Sequence, residues 1–123
     1  VELPKQPGPK FTPCKLPRTL MKSLNWPSDH ASVVATVKGA RGASLTVATW
    51  NVADCVYFGQ FWPQAALGFD WQTESERLKQ IEAHARTLLE MSDVVALQEV
   101  PSAIVPLLVQ LGAALQFQVQ WVA

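Results

Sequence analysis

Two β-branched apolar runs, Ala31 to Val37 and Leu45 to Val52, flank a short polar loop at 38–44. Gly39 and Gly42 in that loop supply turn conformations, so the pattern predicts an antiparallel hairpin. Further on, Thr73 and Glu76 stand at capping-box spacing ahead of Leu78, Ile81, Ala85, Leu88 and Leu89. Apolar residues at those intervals share one face of a helix. The run Val94 to Leu97 reads as a buried strand, and Pro101-Ser102 opens a second helical pattern through Ile104, Leu107, Leu108 and Leu111. Gly112 is expected to stop it. Beyond, Leu115, Phe117, Val119 and Trp121 alternate with Gln116, Gln118 and Gln120, the period of a strand with one dry face.

The chain before Ala31 has a different texture. Five of its nine prolines (Pro4, Pro7, Pro9, Pro13 and Pro17) fall in the first seventeen residues. Residues 1–27 therefore read as an extended proline-rich basic arm, and 28–123 as the folded part. Residues 53–73 hold Tyr57, Phe58, Phe61, Trp62, Phe69 and Trp71 without a clear period, as in a packed loop containing a short helix. The order is arm–β–β–loop–α–β–α–β, which predicts a mixed α/β layered sheet without internal repeats.

Composition narrows the function. Of 123 residues, 49% are apolar and 16% charged, with ten basic and ten acidic side chains cancelling. A neutral chain is not a nucleic-acid binder that works mainly by neutralising phosphates, nor an acidic disordered tail. The balance hides a split. Lys5, Lys10, Lys15, Arg18 and Lys22 oppose Glu2 at the start, while seven acids oppose Arg77, Lys79 and Arg86 across 70–99. The basic arm could touch RNA or an acidic partner, although a solvated linker is the plainer reading. The apolar runs are too short for a membrane span. Cys14 and Cys55 show neither metal-ligand spacing nor a disulfide framework, which points to a reduced intracellular setting. The chain lacks an initiating Met and a signal-peptide pattern, and is expected to be a processed product or a fragment.

The predicted topology also gathers polar residues. A hairpin centred on 38–44 pairs Val37 with about Leu45 and Val33 with about Thr49, bringing Asp29 and His30 beside Asn51. A right-handed helical crossover then makes the 94–97 strand parallel to 45–52, so that Glu99 emerges at the edge where Asn51 ends. Each has a plainer reading: a turn for Asp29 and Asn51, a satisfied structural histidine for His30, a solvent exit for Glu99. Together they suit metal-assisted phosphoester hydrolysis. A carboxylate takes a hard cation such as Mg²⁺, an amide orients phosphate, and a His–Asp pair meets developing negative charge. His84, in mid-helix, reads as a surface residue. Trp50, Trp62, Trp71 and Trp121 could stack bases, but core and loop packing fits them better.

Thr49-Trp50-Asn51-Val52 and Val95-Ala96-Leu97-Gln98-Glu99-Val100 resemble the opening of the endonuclease/exonuclease/phosphatase superfamily, with its deoxyribonuclease-I-like fold. The aromatic insertion with Trp71 and Arg77 is most similar to its nocturnin-like deadenylase branch. That resemblance implies that Glu99 binds Mg²⁺ and that Asn51 orients phosphate and nucleophile. Trp26-Pro27-Ser28-Asp29-His30-Ala31-Ser32-Val33-Val34 resembles the closing motif of the same family, with His30 contacting the scissile phosphate and Asp29 supporting it. The closing motif (28–37) thus precedes the opening half (45–123). A tandem junction, a circular permutant and a split chain all fit this order.

The Gly-Asp-x-Asn motif of the family is absent from the sequence. The resemblance therefore implies a fragment of a Mg²⁺-dependent phosphodiesterase or phosphatase, one form being a deadenylase-like exoribonuclease, inactive alone. Its substrate would be RNA or another phosphate ester, and another chain or the missing half of the fold would complete it. The competing expectation is a catalytically retired accessory or structural subunit of a larger assembly, because half a sandwich leaves apolar faces for a partner to cover.

Overall fold

The computed structural model describes residues 16–53 and 70–122. Helix α1 (Arg18–Ser23) is followed by strands β1 (Val33–Lys38) and β2 (Ser44–Asn51), joined through a 3-10 turn at Ala40–Gly42. Then come helix α2 (Glu74–Met91), strand β3 (Val94–Gln98), a 3-10 turn at Ser102–Ile104 and helix α3 (Val105–Ala114). The result is a mixed α/β fold whose three-stranded sheet runs in the order β1-β2-β3.

The hairpin forms because the loop can reverse the chain. Arg41 and Gly42 both take left-handed backbone, at φ 64° and 78°, and Gly39 N–H donates to the Ala43 carbonyl at 2.7 Å. β1 and β2 are antiparallel, with Val33 opposite Thr49 and Val37 opposite Leu45, the register the sequence predicts. β3 lies parallel to β2, with Val47 opposite Val94 and Asn51 opposite Gln98. A 47-residue offset in a parallel pair requires a crossover, and α2 supplies it. Its N-terminus carries the expected capping box: the Thr73 hydroxyl accepts from Glu76 N–H and the Glu76 carboxylate accepts from Thr73 N–H.

One face of the sheet carries the core. Ala48, Trp50 and Val52 pack with Ile81 and Leu88 of α2 and with Val100 and Ile104, and Val95 and Leu97 of β3 join them. Alternation leaves the other face bare. There Val33 (57% exposed), Val37 (59%), Leu45 (45%) and Val94 (45%) look outward with no second layer among the described residues. No described helix is long and apolar enough to cross a membrane.

Three expectations need correction. The stretch 1–27 is not extended throughout: after Pro17, which caps it, Arg18–Ser23 is helical and buries Met21 against Ala53, Leu16, Trp26 and Trp71. Gly112 does not stop α3, which continues to Ala114 and ends where Gln116 turns left-handed (φ 64°). Gly112 serves close approach instead, since a Cβ there would sit 2.5 Å from Val119 Cγ2. The terminal strand is absent as well. Residues 117–122 form no strand; Phe117 N–H returns to the Gly112 carbonyl, holding the segment against α3. It closes an apolar cavity of about 160 Å³ with Leu89, Val95, Leu97, Val105 and Leu108. Residues 1–15, and the aromatic segment over 54–69 with Trp62 and Cys55, lie outside the described residues.

Candidate functional site

The 26–32 segment crosses the carboxyl end of β2 because its polar groups find partners there. Buried Ser28 donates from Oγ to the Asn51 carbonyl (2.6 Å) and accepts from His30 N–H (3.0 Å). Two indoles, Trp26 of the segment itself and Trp50 of β2, donate from Nε1 to the His30 carbonyl, at 2.9 and 3.1 Å. Asp29 and His30 are thereby set beside the end of β2, where the hairpin register predicts them.

His30 Nε2 lies 3.4 Å from Asp29 Oδ1, and each side chain is about one quarter exposed (26% and 25%). An imidazole held by a carboxylate and open to solvent can donate to an anion. Asn51 Oδ1 accepts from Ala53 N–H at 2.9 Å, an Asx-type turn that commits the oxygen to the backbone. Its NH₂ group is the part suited to phosphate. Glu99 follows Gln98, the register partner of Asn51, so it stands at the same carboxyl edge of the parallel pair. The two strand ends share an unusual backbone: Ala53 and Glu99 are left-handed, at φ 63° and 51°. Each non-glycine residue in that region costs on the order of 1 kcal/mol, and such strain gathers at functional sites.

Two residues that the sequence reading did not place in the site hold it together. Arg77, completely buried, reaches from the first turn of α2. Its Nη1 donates to the carbonyls of Pro27 (3.0 Å), Ala53 (3.1 Å) and Val52 (3.3 Å), while Nε donates to Glu74 Oε2 (3.2 Å). One guanidinium thus ties the 26–32 segment, the end of β2 and the start of α2. His84, expected at the surface, is half-buried between the Trp26 and Trp50 rings, with centroids at 4.3 and 4.6 Å. Burial lowers its pKa below the ordinary histidine value. The signal for both was helical spacing: Arg77 lies four before Ile81, and His84 three after Ile81 and four before Leu88, all on the buried stripe.

The tryptophans divide as packing requires. Trp50 is a core residue, Trp71 packs against Met21 and Ala53, and Trp121 is half exposed. At the periphery, Arg18 of α1 pairs with Asp70, and this hydrogen bond holds the Asp70 carboxyl below its usual pKa.

For a metal, the donor set is lean. No group of three or more His, Cys, Asp or Glu side chains clusters among the described residues. A single carboxylate, Glu99, still fits Mg²⁺, which is commonly bound through one or two carboxylates, retained waters and substrate phosphates. Comparison with protein-family models, with curated proteins and with solved structures found no match to this chain.

Proposed function

We propose that these residues belong to a Mg²⁺-dependent phosphoric-ester hydrolase of the endonuclease/exonuclease/phosphatase type, deadenylase-like and inactive without the remainder of its fold. The observation that carries this reading is the Ser28–Asn51 hydrogen bond. It sets the Asp29–His30 pair at the carboxyl edge where Asn51 and Glu99 end neighbouring strands. In this reading Glu99 holds Mg²⁺ and Asn51 orients the phosphate. His30, steadied by Asp29, donates to the charge that develops on phosphate oxygen. Bound Mg²⁺ would neutralise phosphate charge. The Gly-Asp-x-Asn residues come from elsewhere, and RNA or another phosphate ester is the substrate.

The test is Mg²⁺-dependent cleavage of oligo(A) and of bis(p-nitrophenyl) phosphate by the full-length natural protein that contains these residues. Glu99→Ala and His30→Ala should each lower the rate on the order of a hundredfold, the cost of removing one charge-stabilising group. Rates within a few-fold of the unsubstituted protein overturn the assignment.

A second reading, an accessory subunit that has lost catalysis, is favoured by the bare sheet face. Val33, Val37, Leu45 and Val94 form an apolar surface of the kind partners cover. Light scattering coupled to size exclusion tests this reading. Aggregation of the 123-residue chain that is relieved by a co-expressed partner supports it. A stable folded monomer argues against it.

A further inference from the structure

The Trp26 and Trp50 rings do more than fill space, because their N–H groups and their flanks serve different partners. Both Nε1–H groups converge on the His30 carbonyl, and both rings flank His84, tilted at 70° and 81° to the imidazole. The two indoles also touch each other, with centroids 5.7 Å apart. Two residues beyond His30, Ser32 Oγ lies 2.9 Å from His84 Nε2. The imidazole of α2 therefore grips the 26–32 segment from both sides of the residue that bears the candidate phosphate contact.

We propose that His84 is a positioning residue: its neutral imidazole clasps the 26–32 segment against α2, with Nε2 accepting from the Ser32 hydroxyl, and protonation of that nitrogen removes the acceptor and loosens the clasp. The inference extends the hydrolase reading by giving the site a pH-dependent control, but the clasp itself needs neither substrate nor metal.

The chemistry is that of a charge in a poorly solvated place. Around the imidazole, α2 presents Gln80 and Thr87, the 24–32 segment presents Asn25, Trp26 and Ser32, and β2 presents Trp50. None carries a charge. Of the titratable residues on the segment, His30 turns its carbonyl to the indoles and its ring to Asp29. An imidazolium here would have no anionic partner among the described residues and would have to recruit water. Burial accordingly opposes protonation, which lowers the pKa. The sign follows. A folded-state value below the ordinary 6.5 means that the clasp is fully in force above that pH. It weakens as the pH falls through the folded value.

The test is a pH titration of the whole chain followed by NMR, reading the His84 and His30 ring protons and the Trp26 and Trp50 indole N–H signals. The expected result is that both indole signals shift with the midpoint of His84, below the ordinary histidine range, and not with that of His30. H84Q should keep the indole signals but lose the transition. Indole signals that ignore the His84 titration, or a transition that survives in H84Q, overturn the proposal. Should H84Q fail to fold, S32A serves: it removes the hydroxyl and keeps the ring contacts. Its indole signals should still follow His84, and signals indifferent to pH overturn the clasp. Because the readout uses no substrate, site variants that cleave at nearly the unsubstituted rate while the His84 titration stays intact refute the hydrolase reading alone.

Discussion

Arg77→Ala should destabilise the chain by about 3–5 kcal/mol, because three backbone carbonyls lose their shared donor at once. The reason lies in what is left behind. Removing the guanidinium strips a donor from the carbonyls of Pro27, Val52 and Ala53, all three of them buried residues. An unsatisfied buried polar group costs about 1–3 kcal/mol. Arg77→Lys should recover only part of the loss, leaving a deficit of about 2 kcal/mol. A lysine ammonium is a point donor and cannot face the carbonyls through one nitrogen while bonding Glu74 through another, as Arg77 does. Thermal or urea unfolding measures both variants. For a chain of this size, the alanine variant should melt roughly 10–20 °C lower. A change within about 0.5 kcal/mol, the ordinary scatter of surface substitutions, would show that Arg77 is not the clamp described.

The second large effect belongs to Trp50, which is 1% exposed and touches both helix and loop. Trp50→Ala should cost about 3–5 kcal/mol through lost burial and the cavity left in the sheet–helix core. Trp50→Phe separates packing from hydrogen bonding. Phenylalanine keeps most of the apolar ring but has no N–H for the His30 carbonyl. That carbonyl is not orphaned, because Trp26 still donates to it at 2.9 Å. The expected loss is therefore only about 1 kcal/mol. Urea unfolding of both variants gives the comparison. Equal losses for the two would mean that the hydrogen bond, and not the ring volume, dominates at this position.

How far the sequence reached depended on whether a local rule met a local structure. The hairpin was legible because Gly39 and Gly42 sit between two β-branched runs, and turn geometry then sets the register to the residue. The long helix was legible from Thr73, Glu76 and the stripe behind them. The parallel pairing followed from chirality and connection length. Local rules failed where a distant contact decided the outcome. The prolines before Pro17 masked a six-residue helix whose one buried residue, Met21, meets Ala53. The alternation at 115–121 promised a strand, yet alternation sets only which side chains share a face. A ladder needs a neighbouring backbone, and Phe117 N–H is bonded to Gly112 instead.

The candidate site divides similarly. Asp29, His30, Asn51 and Glu99 could be brought to one edge by topology alone, since each flanks a strand end. Their supports could not, because Arg77 and His84 act through atoms more than 20 residues away in the chain. A charged or titratable residue on the buried line of an amphipathic helix was the available clue, and it was spent on a surface reading for His84.

The two seams of the sheet also differ in the time they take to close. Val37 and Leu45, partners across the hairpin, are eight positions apart; Val47 and Val94, partners across the parallel seam, are 47 apart. By the logarithmic dependence of loop-closure entropy, the longer loop costs about 1.6 kcal/mol more to close before any contact repays it. On this ground the hairpin is expected to form first, with β3 joining once α2 has folded back across it. Asn51 ends a strand of the early seam, whereas Glu99 arrives with the late one. The rim that holds both is among the last parts of the fold to exist as the chain folds, and among the first to be lost when β3 lets go.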